Sequence, residues 1–283
     1  MSTQTVTPEL RQWILDQAKA GHKPEAVLKA MADSGWSEDV ALGALEETLS
    51  GFLKQHAIDN NLPQPSTVPE PLLIGSPSSV VVGDRTVQVL ATLLNPRVVV
   101  FGGLLSHEEC DQIVALARQR LVRSETVDVK TGGSELNEAR TSEGMFFARG
   151  EFDVIKRVEA RIAELVNWPL ENGEGVQVLR YGPGAEYKPH YDYFDPAQPG
   201  TPTILRRGGQ RVGTVVMYLN SPTKGGATTF PDVHLEVAPI KGNAVFFSYD
   251  RPHPMTRTLH GGAPVIEGEK WVATKWMREG RFD

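Results

Sequence analysis

Residues 181–192 read YGPGAEYKPHYD, a glycine- and proline-rich turn that leads into an extended run. Side chains two residues apart point to the same side of an extended chain. The imidazole of His190 and the carboxylate of Asp192 can therefore reach one metal ion. A third ligand from elsewhere in the chain would complete the facial triad of two histidines and one carboxylate, which leaves positions open on a non-haem Fe(II).

A histidine two residues before an acidic residue is weak evidence for a metal site by itself, because His234 and Glu236 have the same spacing further along the chain. His260 lies at the end of a predicted strand beside a glycine turn. Ten residues later, Lys270 begins the apolar run KWVATKW. A lysine on a core strand is costly to bury unless it meets an anion. A dicarboxylate co-substrate that chelates iron at one end would supply that anion at the other.

The chain from residue 86 onward is typical of a β-rich domain. Short runs rich in β-branched and aromatic residues alternate with glycine-containing turns. Two helices are expected, one from the capping box of Ser106 and Glu109 to about residue 120 and one over 152–166. This pattern predicts a β-sandwich or jelly roll with supporting helices. The predicted strands are 87–91, 98–101, 145–148, 176–181, 212–219, 235–237, 244–248 and 271–276.

The first part of the chain has a different pattern. Residues 1–56 carry three short apolar stripes at helical spacing, which predicts a small three-helix domain. Residues 57–85 contain five prolines and few apolar residues, which predicts a semi-extended linker. Residues 86–283 then form the second domain. Acidic side chains outnumber basic ones in 1–56, so we expect this domain to bind a protein partner and not nucleic acid.

Composition narrows the class of protein. The chain has 283 residues, a net charge of -6 and one cysteine, Cys110. A disulfide framework within the chain is therefore excluded, and nucleic acid is an improbable main partner. No stretch of 18 apolar residues and no secretory signal is present, so we expect no membrane association and a cytoplasmic location.

Several blocks of sequence, taken in order, resemble the catalytic domain of the prolyl 4-hydroxylase family of Fe(II)/2-oxoglutarate dioxygenases. The resemblance extends over about residues 97–280. The blocks are RTSEGMF at 140–146, the segment 181–194, GQRV at 209–212, the paired glycines 225–226, KGNAVFF at 241–247 and the stretch 260–276. The resemblance implies an all-β double-stranded β-helix (jelly roll) with supporting α-helices, after the small N-terminal three-helix domain.

The same resemblance implies roles for individual residues. His190, Asp192 and His260 would bind Fe(II), and Lys270 would pair with the distal carboxylate of 2-oxoglutarate, which makes these four the expected catalytic residues. Two hydroxyl groups would assist Lys270 in binding 2-oxoglutarate, those of Tyr181 and Thr214. Three residues match positions that contact the peptide substrate in the family, namely Arg140, Tyr187 and Arg211.

The activity that the resemblance implies is hydroxylation of a prolyl residue in a peptide or protein, with O2 and 2-oxoglutarate consumed and succinate and CO2 released. Ascorbate is an expected further cofactor. Because a carboxylate, Asp192, stands where halide-transferring enzymes need a vacant site, the outcome should be hydroxylation. Two alternatives remain open: hydroxylation of a free amino acid or another side chain, and a non-catalytic jelly-roll binding protein.

The sequence departs from the family pattern in two respects. Ala227 stands where an acidic residue commonly follows the paired glycines, so this chain lacks the hydrogen bonds that an acidic side chain would make there. The animal collagen enzymes are secreted, disulfide-bonded and paired with another subunit. A single cysteine and no signal instead predict a stand-alone, bacterial-type member of the family.

Overall fold

A computed structural model describes residues 4–123, 125–127, 134–136 and 141–283 of the chain. Along these residues the helices are α1 (Pro8–Lys19), α2 (Pro24–Asp33), α3 (Glu38–Asp59), α4 (His107–Arg118), α5 (Asp153–Leu165) and α6 (Thr201–Leu205). The strands are β1 (Ser79–Val82), β2 (Arg85–Leu93), β3 (Arg97–Gly102), β4 (Val122–Arg123), β5 (Glu125–Val127), β6 (Ser134–Leu136), β7 (Glu143–Phe147), β8 (Val176–Tyr181), β9 (Tyr187–His190), β10 (Arg211–Tyr218), β11 (Lys224–Gly225), β12 (Thr228–Phe230), β13 (Leu235–Val237), β14 (Ala244–Ser248), β15 (His260–Gly262), β16 (Val265–Glu267) and β17 (Lys270–Arg278).

The chain divides into two compact units, the first ending at Pro65 and the second running from Ser66 to Asp283. The first unit is the predicted three-helix domain. The Thr7 hydroxyl caps α1 by accepting a hydrogen bond from the Leu10 backbone N–H, which satisfies one of the donors left free at a helix start. The three helices bury one small apolar core, formed by Ile14, Val27, Met31, Ala41, Ala44 and Leu45.

The observed boundary between the units differs from the ends predicted for the linker. Helix α3 continues past residue 56 to Asp59, and residues 66–85 belong to the second unit. Strand β1 lies inside the predicted linker and forms a hairpin with β2, in which Val82 is buried. Glu70 is tied to the same unit by an ion pair with Arg97. Proline content alone did not reveal these contacts, because prolines can precede a strand as readily as they can stiffen a linker.

The second unit is a sandwich of antiparallel sheets. In the described residues nine strands form the large sheet, in the order β1-β2-β3-β14-β10-β17-β8-β7-β4, and four form the small sheet, in the order β13-β12-β15-β9. Apolar side chains from both sheets fill the space between them, among them Phe230, Phe247 and Tyr218. The predicted double-stranded β-helix, or jelly roll, is confirmed, and every predicted strand corresponds to an observed one.

The large sheet is covered on its other face by helices α4 and α5. Successive residues of a strand point to opposite faces, so Phe246 of β14 packs with the helices while Phe247 faces the small sheet. The predicted capping box at the start of α4 is present, with both hydrogen bonds between Ser106 and Glu109 formed. Because both faces are buried, the central strands carry apolar side chains on both faces. Among the residues described, none of the helices combines the length and apolar character needed to cross a lipid bilayer.

Strand β17 is buried along all nine residues and still carries three cations. Lys275 forms an ion pair with Glu159 of α5 and donates a hydrogen bond to the Glu174 carbonyl. Arg278 forms an ion pair with the Glu174 carboxylate. Such pairing is what allows charges in a dry interior. The third cation, Lys270, lies at the other end of the strand.

We predict that Lys275→Met lowers the free energy of unfolding by about 3–5 kcal/mol, because it leaves the Glu159 carboxylate buried without its counter-ion. The side chains of Lys275 and Glu159 are 4% and 1% exposed. Urea unfolding followed by tryptophan fluorescence measures the change. The double variant Lys275→Met/Glu159→Gln should recover part of the loss.

The matched control is Lys241→Met, which breaks the more exposed pair with Asp111, where the side chains are 24% and 70% exposed. Its cost should stay below about 1 kcal/mol. Equal losses for Lys275→Met and Lys241→Met would contradict the assignment of a buried ion pair.

Candidate active site

The register of the small sheet brings two remote histidines together. Strands β9 and β15 are antiparallel neighbours in which His190 is the direct partner of His260, and the two imidazole rings are 4.4 Å apart between centroids. Gly261 permits this close approach, since a Cβ there would lie 2.8 Å from the Tyr187 carbonyl oxygen. The sequence-predicted pair is thus held by backbone hydrogen bonding and not by a loop.

Asp192 follows β9 by two residues and lies between the two imidazoles. Its Oδ1 is 3.6 Å from Nε2 of His190, and its Oδ2 is 3.5 Å from Nε2 of His260. One ligand atom from each of the three residues lies within 4.8 Å of the others. Two imidazoles and one carboxylate in this arrangement are a facial donor set for a divalent transition metal.

The hydrogen bonds of the imidazoles fix which nitrogen faces this cluster. Nδ1 of His190 lies 2.9 Å from the Lys188 carbonyl oxygen, and Nδ1 of His260 lies 3.0 Å from the Thr258 carbonyl oxygen. A carbonyl only accepts, so Nδ1 carries the proton in both rings and each Nε2 presents a lone pair. This is the orienting contact that metal-binding histidines usually make.

The charges of the cluster also suit a divalent cation. Burial lowers the pKa of His260 to about 4, so its imidazole is neutral at pH 7. Burial opposes ionisation of Asp192, but positive charge beside it, that of His260 and His190 when they are protonated and that of Arg211, outweighs burial and keeps the Asp192 pKa well below its ordinary value. A neutral imidazole and an ionised carboxylate are the forms that bind a metal without first releasing a proton.

The competing pair is not brought together in this way. His234 and Glu236 are both exposed, and within the described residues the one group of three metal-ligating side chains is His190, Asp192 and His260. His253, which is near His260 in sequence, uses its Nδ1 to accept a hydrogen bond from the Met255 backbone N–H. That His234 and His253 are not ligands stays a prediction.

A second register, in the large sheet, positions Lys270. Lys270 of β17 is the direct partner of Tyr181 of β8, and its Nζ lies 5.6 Å from the centre of the Tyr181 ring. Both residues line the same pocket as the metal-ligating cluster. The pocket is lined by Leu179, Tyr181, Tyr187, His190, Asp192, Val216, Thr228, His260, Gly261, Gly262, Lys270, Val272, Thr274 and Trp276.

Lys270 differs from the other cations of β17 because no carboxylate among the described residues pairs with it. It is 4% exposed, and burial lowers the pKa of its ammonium group to about 8. A buried ammonium without a counter-ion is costly. A dicarboxylate whose other end reaches the metal cluster would supply the missing anion, so the pocket fits 2-oxoglutarate.

The position of Thr214 corrects one expectation. Its hydroxyl does not face Lys270 but donates a hydrogen bond of 2.7 Å to Oδ2 of Asp192. On the neighbouring strand its partner is Trp276, which is six residues, or about 20 Å of extended chain, away from Lys270. Thr214 therefore lies at the metal end of the pocket and not at the lysine end.

Thr228 lies at the lysine end, and the sequence reasoning missed it. Thr228 lines the pocket and pairs with Gly262, and a Cβ on that glycine would lie 3.6 Å from Lys270 Nζ. The Thr228 hydroxyl accepts a hydrogen bond of 2.8 Å from the Tyr218 hydroxyl, so its own proton is free for a ligand. The sequence carries a signal for this residue, since two threonines follow Ala227. The expectation for this position concerned only the acidic residue that Ala227 replaces.

The three expected substrate contacts have different outcomes. The Tyr187 ring stacks on His190 at a centroid distance of 3.7 Å, beside the metal cluster. Arg211 is occupied inside the protein: it forms an ion pair with Glu174 and its guanidinium lies 3.9 Å from the centre of the Trp276 ring. Burial opposes the charge of Arg211, but the Glu174 carboxylate keeps the Arg211 pKa above its ordinary value. Arg140 lies outside the described residues.

Part of the chain matches a known protein family. Residues 176–278 match the family model of the 2OG-Fe(II) oxygenase superfamily. That segment begins with β8 and ends with β17. It includes the three residues of the metal cluster and Lys270.

Individual relatives extend the match. The chain is 39% identical over 236 residues to prolyl 4-hydroxylase 2 of Arabidopsis thaliana, covering 75% of this chain and 76% of that protein. It is 44% identical over 203 residues to prolyl 4-hydroxylase 1 of the same plant, covering 65% and 70%. Among solved structures, the viral collagen prolyl hydroxylase of Paramecium bursaria Chlorella virus-1, in complex with 2OG, is similar with a TM-score of 0.50 and 33% identity, covering 64% of this chain and 95% of that one.

We predict that the full-length chain binds one Mn(II) per molecule and that Asp192→Asn weakens this binding by more than about 100-fold, the upper limit for losing an outer-shell partner. Asparagine keeps the shape of the side chain and removes its charge. Electron paramagnetic resonance of free Mn(II) measures the dissociation constant.

The control is Glu236→Gln, which makes the same chemical change in the competing pair. Its dissociation constant should equal that of the unchanged chain. If Glu236→Gln and not Asp192→Asn weakened binding, the metal centre would be at the other pair.

Proposed function

The chain belongs to the prolyl 4-hydroxylase family of Fe(II)- and 2-oxoglutarate-dependent dioxygenases, and from this premise we propose that it hydroxylates a prolyl residue in a peptide or protein. Succinate and CO2 are the other products. One observation carries the proposal: the buried ammonium of Lys270 faces the cluster of His190, Asp192 and His260 across one pocket, with no carboxylate partner among the described residues.

Four residues have the central roles in this proposal. His190, Asp192 and His260 hold Fe(II), and Lys270 binds the distal carboxylate of 2-oxoglutarate. Fe(II) held by these residues would supply, with 2-oxoglutarate, the O2-activating chemistry by which a hydroxyl group replaces hydrogen on the substrate carbon. Ascorbate is retained as the expected reductant that keeps the metal ferrous.

The remaining pocket residues orient the co-substrate and exclude water. We assign the hydroxyl contacts to the distal carboxylate to Tyr181 and Thr228, in place of the Thr214 first expected. Leu179, Val216 and Val272 present apolar side chains between the two ends of the pocket. A low-polarity wall strengthens the attraction between the Lys270 ammonium and a carboxylate, because charges interact more strongly away from water.

Substrate recognition is assigned to the metal end. Tyr187 stacks on a metal-ligating imidazole and is placed to contact the peptide beside the reacting carbon. Arg211 acts indirectly in this proposal, since it holds the Trp276 ring against the pocket wall while its charge is balanced by Glu174. Arg140 keeps its expected substrate contact as a prediction.

We further propose that the helical domain of residues 1–56 recruits a protein partner and that the enzyme acts in the cytoplasm. Large apolar side chains of α3 are exposed, which supports contact with a protein; they are Leu42, Phe52, Leu53 and Ile58. The single cysteine, Cys110, is buried and free, in keeping with a reducing compartment.

We predict that the full-length protein, given Fe(II), 2-oxoglutarate, ascorbate and a proline-rich peptide, forms succinate in step with a peptide mass gain of one oxygen atom. Asp192→Asn should abolish both products, and Glu236→Gln should leave both unchanged. Mass spectrometry and succinate assay measure the outcome. Hydroxylation of free proline or of lysine in the absence of peptide turnover would favour the alternative substrates, and metal binding without any turnover would favour a binding protein.

We predict that the KM for 2-oxoglutarate depends on pH through the protonation of Lys270. A carboxylate binds the protonated ammonium, whose pKa is about 8 in the folded protein. The KM for 2-oxoglutarate should therefore be nearly constant below pH 7 and rise about tenfold between pH 7 and pH 9 as the proton is lost.

Lys270→Arg is the matched variant, because a guanidinium stays charged throughout this range. The KM of this variant should show no rise with pH, whatever its value at pH 7. Lys270→Ala should raise KM by about 10–100-fold at pH 7, since a hydrogen bond to a charged group is lost. If the KM for 2-oxoglutarate rose with pH as much in Lys270→Arg as in the unchanged chain, the ammonium of Lys270 would not be the group that causes the pH dependence.

A further inference from the structure

The Asp192 carboxylate has support from the large sheet as well as from its histidine neighbours. Its Oδ2 accepts a hydrogen bond of 2.7 Å from the Thr214 hydroxyl, and the Thr214 oxygen lies 3.0 Å from the Tyr249 hydroxyl. All three side chains are buried. Polar groups in such a place are retained only where their hydrogen bonds are made.

The direction of these hydrogen bonds follows from chemistry. The Asp192 carboxylate is ionised and can only accept, so the single proton of Thr214 is used toward Asp192. The proton between Thr214 and Tyr249 must then come from the Tyr249 hydroxyl. Burial raises the pKa of Tyr249 well above its ordinary value, so the phenol keeps this proton.

Both donors are held by regular structure. Thr214 is in the middle of β10, with Phe247 and Trp276 as its strand partners. Tyr249 directly follows β14, and its backbone N–H donates to the Val212 carbonyl at 3.1 Å. Asp192, in contrast, lies just beyond the end of β9. The two hydroxyls are therefore held by the large sheet, whereas the ligand that they support lies outside a strand.

We propose that Tyr249 and Thr214 are positioning residues that hold the Asp192 carboxylate in the orientation that binds the metal tightly. The hydrogen bond uses a lone pair of Oδ2 and prevents the carboxylate from rotating between its two imidazole neighbours. Outer-shell partners of this kind are commonly worth 10–100-fold in metal affinity. The inference rests on the proposed iron site but requires neither 2-oxoglutarate nor a peptide.

The test is Mn(II) binding to the full-length chain, measured by electron paramagnetic resonance of the free ion. Thr214→Val, which keeps the shape and removes the hydroxyl, should weaken binding by about 10–100-fold. Thr214→Ser should restore most of the affinity because it returns the hydroxyl. Tyr249→Phe should weaken Mn(II) binding less than Thr214→Val does, because Thr214 then loses the hydrogen bond from Tyr249 but still donates its own proton to Asp192.

The matched control is Thr201→Val, which removes a buried hydroxyl that donates a hydrogen bond of 2.7 Å to the Asp195 carbonyl and not to a metal ligand. Its Mn(II) affinity should equal that of the unchanged chain, although its stability falls. If Thr214→Val fails to fold, the double variant Thr214→Val/Tyr249→Phe replaces it, because this change leaves no hydroxyl without a partner.

The outcomes separate the two proposals. Unchanged Mn(II) affinity in a folded Thr214→Val or double variant would overturn the positioning role while leaving the metal site intact. No Mn(II) binding by the unchanged chain would overturn the metal site itself. Loss of affinity in Thr214→Val that Thr214→Ser does not restore would also overturn the role, since it would trace the effect to packing and not to the hydroxyl.

Discussion

The active site depends on the register of two antiparallel strand pairs. One pair sets His190 against His260 in the small sheet, and the other sets Tyr181 against Lys270 in the large sheet. A shift of one residue in either pair would turn the functional side chains to the opposite face. The apolar residues that alternate with them oppose such a shift, because it would move core side chains such as Trp271 from the helix-covered face into the space between the two sheets.

The buried charges of β17 show how the same strand serves both stability and chemistry. Lys275 and Arg278 have carboxylate partners within the protein, whereas Lys270 has none among the described residues. An interior can accept the first two because their desolvation is offset by ion pairs. Burial lowers the pKa of Lys270, and this ammonium has no carboxylate partner among the described residues. The lack of an internal partner distinguishes a binding site for a dicarboxylate from a structural ion pair.

Much of this arrangement could be predicted from the sequence, and the failures have a common cause. The period of two in an extended chain placed His190 and Asp192 on one side, and an isolated lysine in an apolar run marked Lys270. The same reasoning gives the face that a residue occupies but not its place along the pocket, so Thr214 was assigned to the wrong end and Thr228 was missed. Strand register, which decides that place, depends on partners remote in sequence.

The metal ligands and the hydroxyls that support them come from different layers of the sandwich. The ligands come from β9, from β15 and from just beyond β9, whereas the hydroxyls that orient Asp192 come from β10 and from the residue after β14. The ligand Asp192 therefore receives its supporting hydrogen bond only when the two sheets are packed together. Because a metal then binds the folded state and not the unfolded chain, its binding free energy adds to the stability of the sandwich. The rigid large sheet thus contributes to the site in two ways, by carrying Lys270 opposite the cluster and by orienting the carboxylate within it.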